Sequence, residues 1–135
     1  MDLQDSLIIS ASGLRAQSVR MRVIAENIAN SDSVAPAPGQ DPYRRKIVTF
    51  KNVLEREIGV ETVKADKITF DQSDFGKKYD PGHPAADANG YIATSNVSGL
   101  VESMDMRQAQ RSYQSNLNAM ETAKTMAMRT LELLR

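Results

Sequence analysis

The two ends of the chain carry long helical patterns, which constrain the fold more than any other feature of the sequence. In the N-terminal segment, from about residue 2 to residue 30, apolar or small residues recur at alternating steps of four and three, with one polar member: Leu7, Ala11, Leu14, Ser18, Met21, Ala25 and Ile28. A spacing of about 3.5 residues is typical of a coiled-coil seam, which is narrower than the apolar stripe of a helix in a globular domain. Because one helix cannot bury such a seam alone, the segment needs a helical partner.

A second seam runs through the C-terminal segment, from about residue 98 to residue 135. Its members are Met106, Gln110, Tyr113, Leu117, Met120, Lys124, Ala127, Leu131 and Leu134. At about 1.5 Å per residue, the two predicted helices span roughly 40 and roughly 55 Å. The simplest way to cover both seams is to pack the two ends of the chain together as a coiled-coil-like hairpin.

The middle of the chain has a different composition. A loop containing three prolines is predicted over residues 33–42, and short β-rich stretches follow at residues 43–50, 60–63, 67–70 and 90–94. These strands are too short and too few to build a large independent core. We therefore predict a mainly α fold with a small β insertion: residues 1–32 and 97–135 form a helical domain, and residues 33–96 form a loop and a β-rich middle segment.

Composition narrows the classes of function. Seventeen Lys and Arg residues balance seventeen Asp and Glu residues, so no overall field attracts nucleic acid or an anionic membrane surface. The absence of cysteine excludes disulfides and cysteine zinc sites. No segment approaches the roughly 20 apolar residues of a membrane span, and no cleavable signal peptide is recognisable. We expect no nucleic-acid partner and no direct membrane insertion.

Three features could indicate chemistry, and each has a simpler interpretation. His83 is the only histidine and has no Cys, Ser or second His at a catalytic spacing, so it is interpreted as a turn residue. The sequence Asp87-Ala-Asn-Gly90 resembles part of a calcium loop, but Ser98 stands where the twelfth-position Glu would be. The basic cluster Arg44-Arg45-Lys46 is interpreted as a solvated or interface patch. We expect no enzyme activity, no catalytic residue, no cofactor and no bound metal.

Four motifs occur in order along the chain. They are Ala25-Glu-Asn-Ile-Ala-Asn30, Pro42-Tyr-Arg-Arg-Lys46, the stretch from Tyr79 to Tyr91 (YDPGHPAADANGY), and Asn96-Val97 with Arg111-Ser-Tyr-Gln-Ser-Asn116 and Lys124-Thr-Met126. The first resembles the N-terminal motif of the flagellar axial proteins, the second a proximal-rod motif, and the third a stretch typical of the FlgC type of rod protein. The resemblance covers essentially the whole chain, and residues 57–75 match it least.

This resemblance implies a structural subunit of the flagellar proximal rod, located in the basal body. Such a subunit is exported by the flagellar type III apparatus without a cleaved signal. It assembles with other rod subunits and with copies of itself into the shaft that spans the periplasm. This shaft surrounds the export channel and carries torque from the motor to the hook. The alternative from another class is a soluble helical adaptor or secretion chaperone. The seams and motifs together indicate the residues expected to mediate assembly: Leu7, Leu14, Met21, Asn27, Ile28, Asn30, Tyr43, Tyr113, Asn116, Leu117, Met120, Leu131 and Leu134.

Overall fold

The computed structural model describes residues 2–135 and has a long helix at each end of the chain, with short strands between them. The elements, in chain order, are α1 (Leu3–Ala29), β1 (Lys46–Glu55), β2 (Val60–Phe70), β3 (Gly76–Tyr79), β4 (Tyr91–Thr94) and α2 (Gly99–Leu133). The prediction of two terminal helices with a small β segment between them is therefore confirmed.

Local hydrogen bonds define both ends of α1. At its start, the Asp2 side chain accepts from the Leu3 amide at 2.6 Å, and the Asp5 side chain accepts from the Asp2 amide at 2.9 Å. Both bonds satisfy amides at the start of the helix, and Asp5 lies where a carboxylate favours the helix dipole. At the other end, the Asn30 side chain donates to the Glu26 carbonyl at 2.8 Å, so one of the terminal carbonyl groups is satisfied.

The strands form two separate two-stranded sheets. In the first, β1 pairs with β2, and ion pairs between the two strands join Lys64 to Glu55 at 2.7 Å and Lys51 to Asp66 at 2.6 Å. The stretches 60–63 and 67–70, predicted as separate, belong to the single strand β2. Pairing with β1 holds the charged residues between them in an extended conformation, which a composition-based prediction does not capture.

The second sheet consists of β3 and β4 in antiparallel register, with Gly76 opposite Thr94 and Tyr79 opposite Tyr91. The sequence analysis missed β3 because Gly-Lys-Lys-Tyr contains no β-branched residue. Tertiary pairing determines this strand, since all four of its residues are exposed. Its first residue is a glycine for a steric reason: a Cβ atom at Gly76 would lie 2.4 Å from the Thr94 hydroxyl oxygen.

The chain divides into two compact units, and each helix contributes residues to both. Unit 1 comprises the chain up to Met21, Val48–Lys67 and Arg107–Arg135, while unit 2 comprises Arg22–Ile47 and Ile68–Met106. Mostly small side chains are buried in unit 1: Ser10, Ser12, Ala16, Val60, Thr62, Ala109 and Ala123. Among residues 2–135, the three largest fully buried side chains belong to unit 2, and two of them are polar: Ile92, Glu102 and Asn27.

Candidate functional site: a polar cluster and the helix seams

Asn27 is the centre of a hydrogen-bonded cluster in unit 2. Its side chain is 1% exposed, and its amide nitrogen donates to the Lys46 carbonyl at 2.9 Å and to Glu102 Oε2 at 3.0 Å. Its amide oxygen accepts from the Tyr43 hydroxyl at 2.9 Å and from the Lys46 backbone amide at 3.0 Å. Both donors and both acceptor positions of the amide are used. Asn27 therefore joins the end of α1 to the start of β1 and to the first turn of α2.

Glu102 places a carboxylate in the interior of unit 2, where it is 1% exposed. A buried carboxylate is costly unless it is both paired and hydrogen-bonded. Arg45 Nε donates to Glu102 Oε1, and the same guanidinium reaches Asp71 Oδ2 at 3.4 Å and Asp105 Oδ2 at 3.3 Å. Burial lowers the pKa of Arg45, but the bonds to Glu102 and the other carboxylates outweigh it, so the pKa of Arg45 is raised. The guanidinium thus stays charged.

Lys46 forms the more exposed rim of this arrangement. Its ammonium group lies 2.8 Å from Glu26 Oε2, and the two side chains are 30% and 42% exposed. The hydrogen bond from Lys46 lowers the pKa of Glu26, and the same bond raises the pKa of Lys46. Burial raises the pKa of the neighbouring Tyr43 hydroxyl. Because exposed ion pairs contribute little to stability, the buried members dominate the energetics.

Asn96 extends the network to the loop after β2. Its side-chain oxygen accepts from the Arg45 backbone amide at 2.7 Å, and its nitrogen donates to the carbonyls of Asp71 and Ser73, both at 3.2 Å. The Ser73 amide and hydroxyl, followed by Arg45, lower the pKa of the Asp71 carboxyl. We refer to the following side chains as the polar cluster: Asn27, Tyr43, Arg45, Lys46, Asn96 and Glu102.

The basic cluster of residues 44–46 is committed to partners within unit 2. Arg44 Nη1 donates to the carbonyls of Asp71 at 2.9 Å and Ser73 at 3.2 Å, and its guanidinium lies 4.2 Å from the centroid of the Phe75 ring. The cluster is therefore not simply solvated, and its interpretation as an interface patch stays a prediction. The charges neutralise carboxylates and satisfy carbonyls of the same unit, so this chemistry is structural.

Gly13 of α1 and Asn116 of α2 meet where the helices come together in unit 1. A Cβ atom at Gly13 would lie 2.7 Å from Asn116 Nδ2, so a side chain at Gly13 would collide with the Asn116 amide. Asn116 is held by its own bond to the Ser112 carbonyl at 3.0 Å. Further along, Arg20 donates to Gln108 Oε1 at 3.0 Å. Since residue numbers rise on α1 as they fall on α2, the helices run antiparallel in this unit.

The predicted seam of α1 lies beside the most buried positions of that helix. The buried positions include Ser12, Ala16, Val23 and Asn27. The predicted seam residues Leu7, Leu14 and Met21 are half-buried, and Ile28 is 36% exposed. Asn30 and Tyr43, named from the motifs, are also half-buried. The large side chains of the seam thus keep part of their apolar surface open to solvent.

On α2 the seam becomes progressively more exposed towards the C-terminal end. Ala109 and Ala123 are the buried positions of this helix in unit 1. The predicted residues Tyr113, Asn116, Leu117 and Met120 are half-buried. Leu131 and Leu134 are 65% and 80% exposed. Exposure of this size on leucine side chains marks the end of α2 as an unpartnered apolar surface.

The loop between β3 and β4 is built as a turn. Asp87 Oδ1 accepts from the amides of Asn89 at 2.8 Å and Tyr91 at 2.9 Å, bonds that lower the pKa of Asp87, the Tyr91 bond most strongly. Gly90 has a positive φ of 82°, and a Cβ atom there would lie 2.9 Å from the Tyr79 ring. His83 Nδ1 accepts from a nearby backbone amide at 3.0 Å. The interpretation of these residues as a turn is confirmed.

Over residues 2–135, no three His, Cys, Asp or Glu side chains are grouped so that they could hold a metal ion. Within the same range, neither helix combines the length and apolarity that a membrane crossing requires. The polar cluster contains carboxylates, amides and cations that already satisfy one another, so it has the chemistry of a structural joint.

Sequence reasoning missed Glu102, the most consequential member of the polar cluster. An acidic residue in the first turn of a helix is usually explained by the helix dipole alone, and Glu102 does lie in the first turn of α2. Its partner Arg45 is 57 residues away in the sequence. A single sequence gives no signal for that pairing, whereas the resemblance did identify Asn27 and Tyr43.

Comparison with known proteins agrees with the resemblance over nearly the whole chain. Residues 7–35 match the family model "Flagella basal body rod protein", and residues 88–133 match "Flagellar basal body rod FlgEFG protein C-terminal". A flagellar basal-body rod protein FlgC of Agrobacterium fabrum is 48% identical over 94% of this chain and 91% of its own length. The FlgC protein of Bacillus subtilis is 40% identical over 95% of this chain and 95% of its own length. The FlgC protein of Salmonella typhimurium is also 40% identical, over 98% of this chain and 98% of its own length. These names denote a structural component of the flagellum rather than an enzyme. The chain therefore belongs to the FlgC family of flagellar basal-body rod proteins.

Proposed function

We propose that this chain polymerises through its terminal helices, with copies of itself and with other rod subunits, into the periplasm-spanning shaft that carries torque from the motor to the hook. In this proposal the helices surround the export channel, the chain is exported by the flagellar type III apparatus without a cleaved signal, and motility requires it. One observation carries the proposal: the seam positions Leu131 and Leu134 are 65% and 80% exposed in a chain of the rod family.

The proposed assembly domain consists of residues 1–32 and 97–135, with the helices packed as a coiled-coil-like hairpin. The close approach of Gly13 to Asn116 and the bond from Arg20 to Gln108 support this packing. Small residues at a helix contact allow this close approach, and the larger seam side chains beside it remain available to neighbouring subunits. Residues 33–96 form a separate segment in this proposal.

A shaft under torsion needs subunits that do not deform internally. The polar cluster supports this requirement, because it fixes the end of α1 and the start of α2 to the same strand within unit 2. Removing one partner of a buried charge pair typically costs about 3–5 kcal/mol, so such a joint resists opening. Between subunits, contacts must be heterologous and non-closing, so that addition of copies extends a tube.

The experiment introduces charge into the seams of the full-length chain. Leu14→Asp and Leu131→Asp should block rod assembly and swimming, because an unpaired charge in a packed interface costs at least about 2 kcal/mol. Both variants should still be secreted, because export moves an unfolded chain. Gln114→Asp is the matched control, since Gln114 is exposed on α2 outside the seam. Secretion of both seam variants together with full motility would refute the proposal.

A further inference from the structure

One asparagine of the chain is followed directly by glycine. Asn89 precedes Gly90 in the turn between β3 and β4, whereas every other asparagine precedes a residue that has a side chain. No Cβ atom of the glycine shields its amide nitrogen, so the side-chain carbonyl carbon of the asparagine can approach that nitrogen closely. Asparagine is a thermolabile residue, and this approach begins its spontaneous deamidation. The sequence therefore directs attention to position 89.

The folded turn engages the nitrogen atom that would react. The side chain of Asn89 is exposed to solvent, but the Gly90 amide donates its hydrogen to the Asp87 carbonyl at 3.0 Å. The amides on either side, of Asn89 and Tyr91, donate to Asp87 Oδ1 at 2.8 and 2.9 Å. Because the Gly90 amide must give up its hydrogen before its nitrogen can attack, the bond to Asp87 has to open first.

We propose that Asn89 and Gly90 form a self-modification site, and that the folded turn around Asp87 suppresses its reaction. The Gly90 nitrogen forms a bond to Asn89 Cγ, and the bond from Cγ to the side-chain nitrogen breaks. That nitrogen leaves as ammonia, and the hydrogen lost by the Gly90 amide completes the ammonia molecule. Water then opens the cyclic imide at either carbonyl carbon, which gives aspartate or isoaspartate at position 89. Water is the only co-reactant, and nothing is oxidised or reduced.

The isoaspartate product changes the backbone of the turn. Its chain runs through the side-chain carbon, so an additional methylene group separates position 89 from Gly90. Two features depend on the normal spacing: the Gly90 carbonyl accepts from the Asp80 amide at 2.9 Å, and Tyr91 lies opposite Tyr79 in the sheet. An additional backbone atom between them shifts the pairing register, so the modified chain loses this alignment of β3 with β4.

Peptide mapping by mass spectrometry measures deamidation at each asparagine of the full-length chain. In concentrated urea at neutral pH, Asn89 should react at least about tenfold faster than Asn118, an exposed residue that is followed by alanine. In the folded chain, Asn89 should react at least about tenfold more slowly than in urea, because the turn must open first. Equal rates at the two asparagines in urea would overturn the site. Equal rates at Asn89 in the folded and unfolded chains would overturn the protection by the turn.

Chains that have reacted in urea and are then refolded test the structural consequence. The isoaspartate fraction, separated by chromatography, should show at least about tenfold faster hydrogen exchange over residues 91–94 than the unmodified fraction. The aspartate fraction keeps the normal backbone and is the matched control, so its exchange should equal that of the unmodified chain. Normal exchange in the isoaspartate fraction would overturn the expected shift of register.

Two substitutions test the contribution of Asp87. Asp87→Ala removes the acceptor of the Asn89 and Tyr91 amides, and should accelerate deamidation at Asn89 in the folded chain about three- to tenfold. Asp87→Asn keeps an acceptor oxygen, and should stay within about twofold of the unsubstituted chain. In urea the variants and the unsubstituted chain should react at the same rate. A folded Asp87→Ala chain that reacts no faster, or a folded Asp87→Asn chain that reacts as fast as it does in urea, would overturn the role of Asp87; circular dichroism reports whether each variant is folded.

Discussion

Replacing Asn27 with alanine should open the joint between the two helices in unit 2. The substitution removes four hydrogen bonds at once, to the Lys46 amide and carbonyl, to Glu102 and to the Tyr43 hydroxyl. Each buried group left without a partner costs about 1–3 kcal/mol, and water entering the vacated space recovers part of that cost. We therefore expect a loss of about 3–5 kcal/mol in the free energy of unfolding of unit 2, a large share of the roughly 5–15 kcal/mol of a typical domain.

Native-state hydrogen exchange measures this loss locally. Amides of residues 22–29 and 99–106 should exchange more than about a hundredfold faster in Asn27→Ala, since each 1.4 kcal/mol corresponds to about tenfold. The matched control is Asn30→Ala, which removes only local bonds at the end of α1, to Glu26 and Ser33, and should cost less than about 1 kcal/mol. Exchange in Asn27→Ala within tenfold of the control would refute the reasoning that the polar cluster holds unit 2 together.

Three further outcomes follow from the contacts. Gly13→Ala should lower the free energy of unfolding in urea by about 1–2 kcal/mol, because the added Cβ atom collides with Asn116. In an Asn116→Ala background the collision is absent, and the same change should raise the free energy of unfolding by about 0.5–1 kcal/mol through the better helix propensity of alanine. A loss in both backgrounds would contradict this geometry. The pKa values of Glu26 and Asp71 are lowered in the folded chain, so the ionised carboxylates stabilise unit 2 at a pH above their ordinary pKa values, near 4. This stabilisation should be lost as the pH falls through the lower folded pKa values. Melting temperatures that stay constant from pH 6 to pH 2 would argue against it. Asp87→Ala should lower the melting temperature slightly by removing a turn acceptor, and elemental analysis should find no metal lost with it.

The sequence was sufficient to predict both helices to within about two residues of their ends. The seam repeat, the acidic first turn of α1 and the residues after Asn30 are local signals, and local signals define helix ends. The strands were predicted less well. Residues of β3 and the middle of β2 take their conformation from pairing with a partner strand, so their own composition does not reveal it.

The candidate site, like the fold, could be predicted from the sequence only in part. Asn27 and Tyr43 were identified because they belong to motifs, but their partner Glu102 depends on contacts between residues far apart in the sequence. Periodicity located apolar positions on both helices without distinguishing the buried stripe, at Ser12 and Ala16, from the half-exposed seam beside it. The distinction depends on which face of each helix packs inside unit 1, which the sequence pattern does not specify.

A reconstruction of the intact flagellar basal body, with this chain traced in it, is the most direct test of the central claim that the chain is a rod subunit assembled through its terminal helices. We expect the chain to lie within the rod, with α1 and α2 packed against the helices of neighbouring subunits and with Leu14 and Leu131 buried in those contacts. A rod that lacks the chain, or one in which both side chains face solvent after assembly, would contradict the claim.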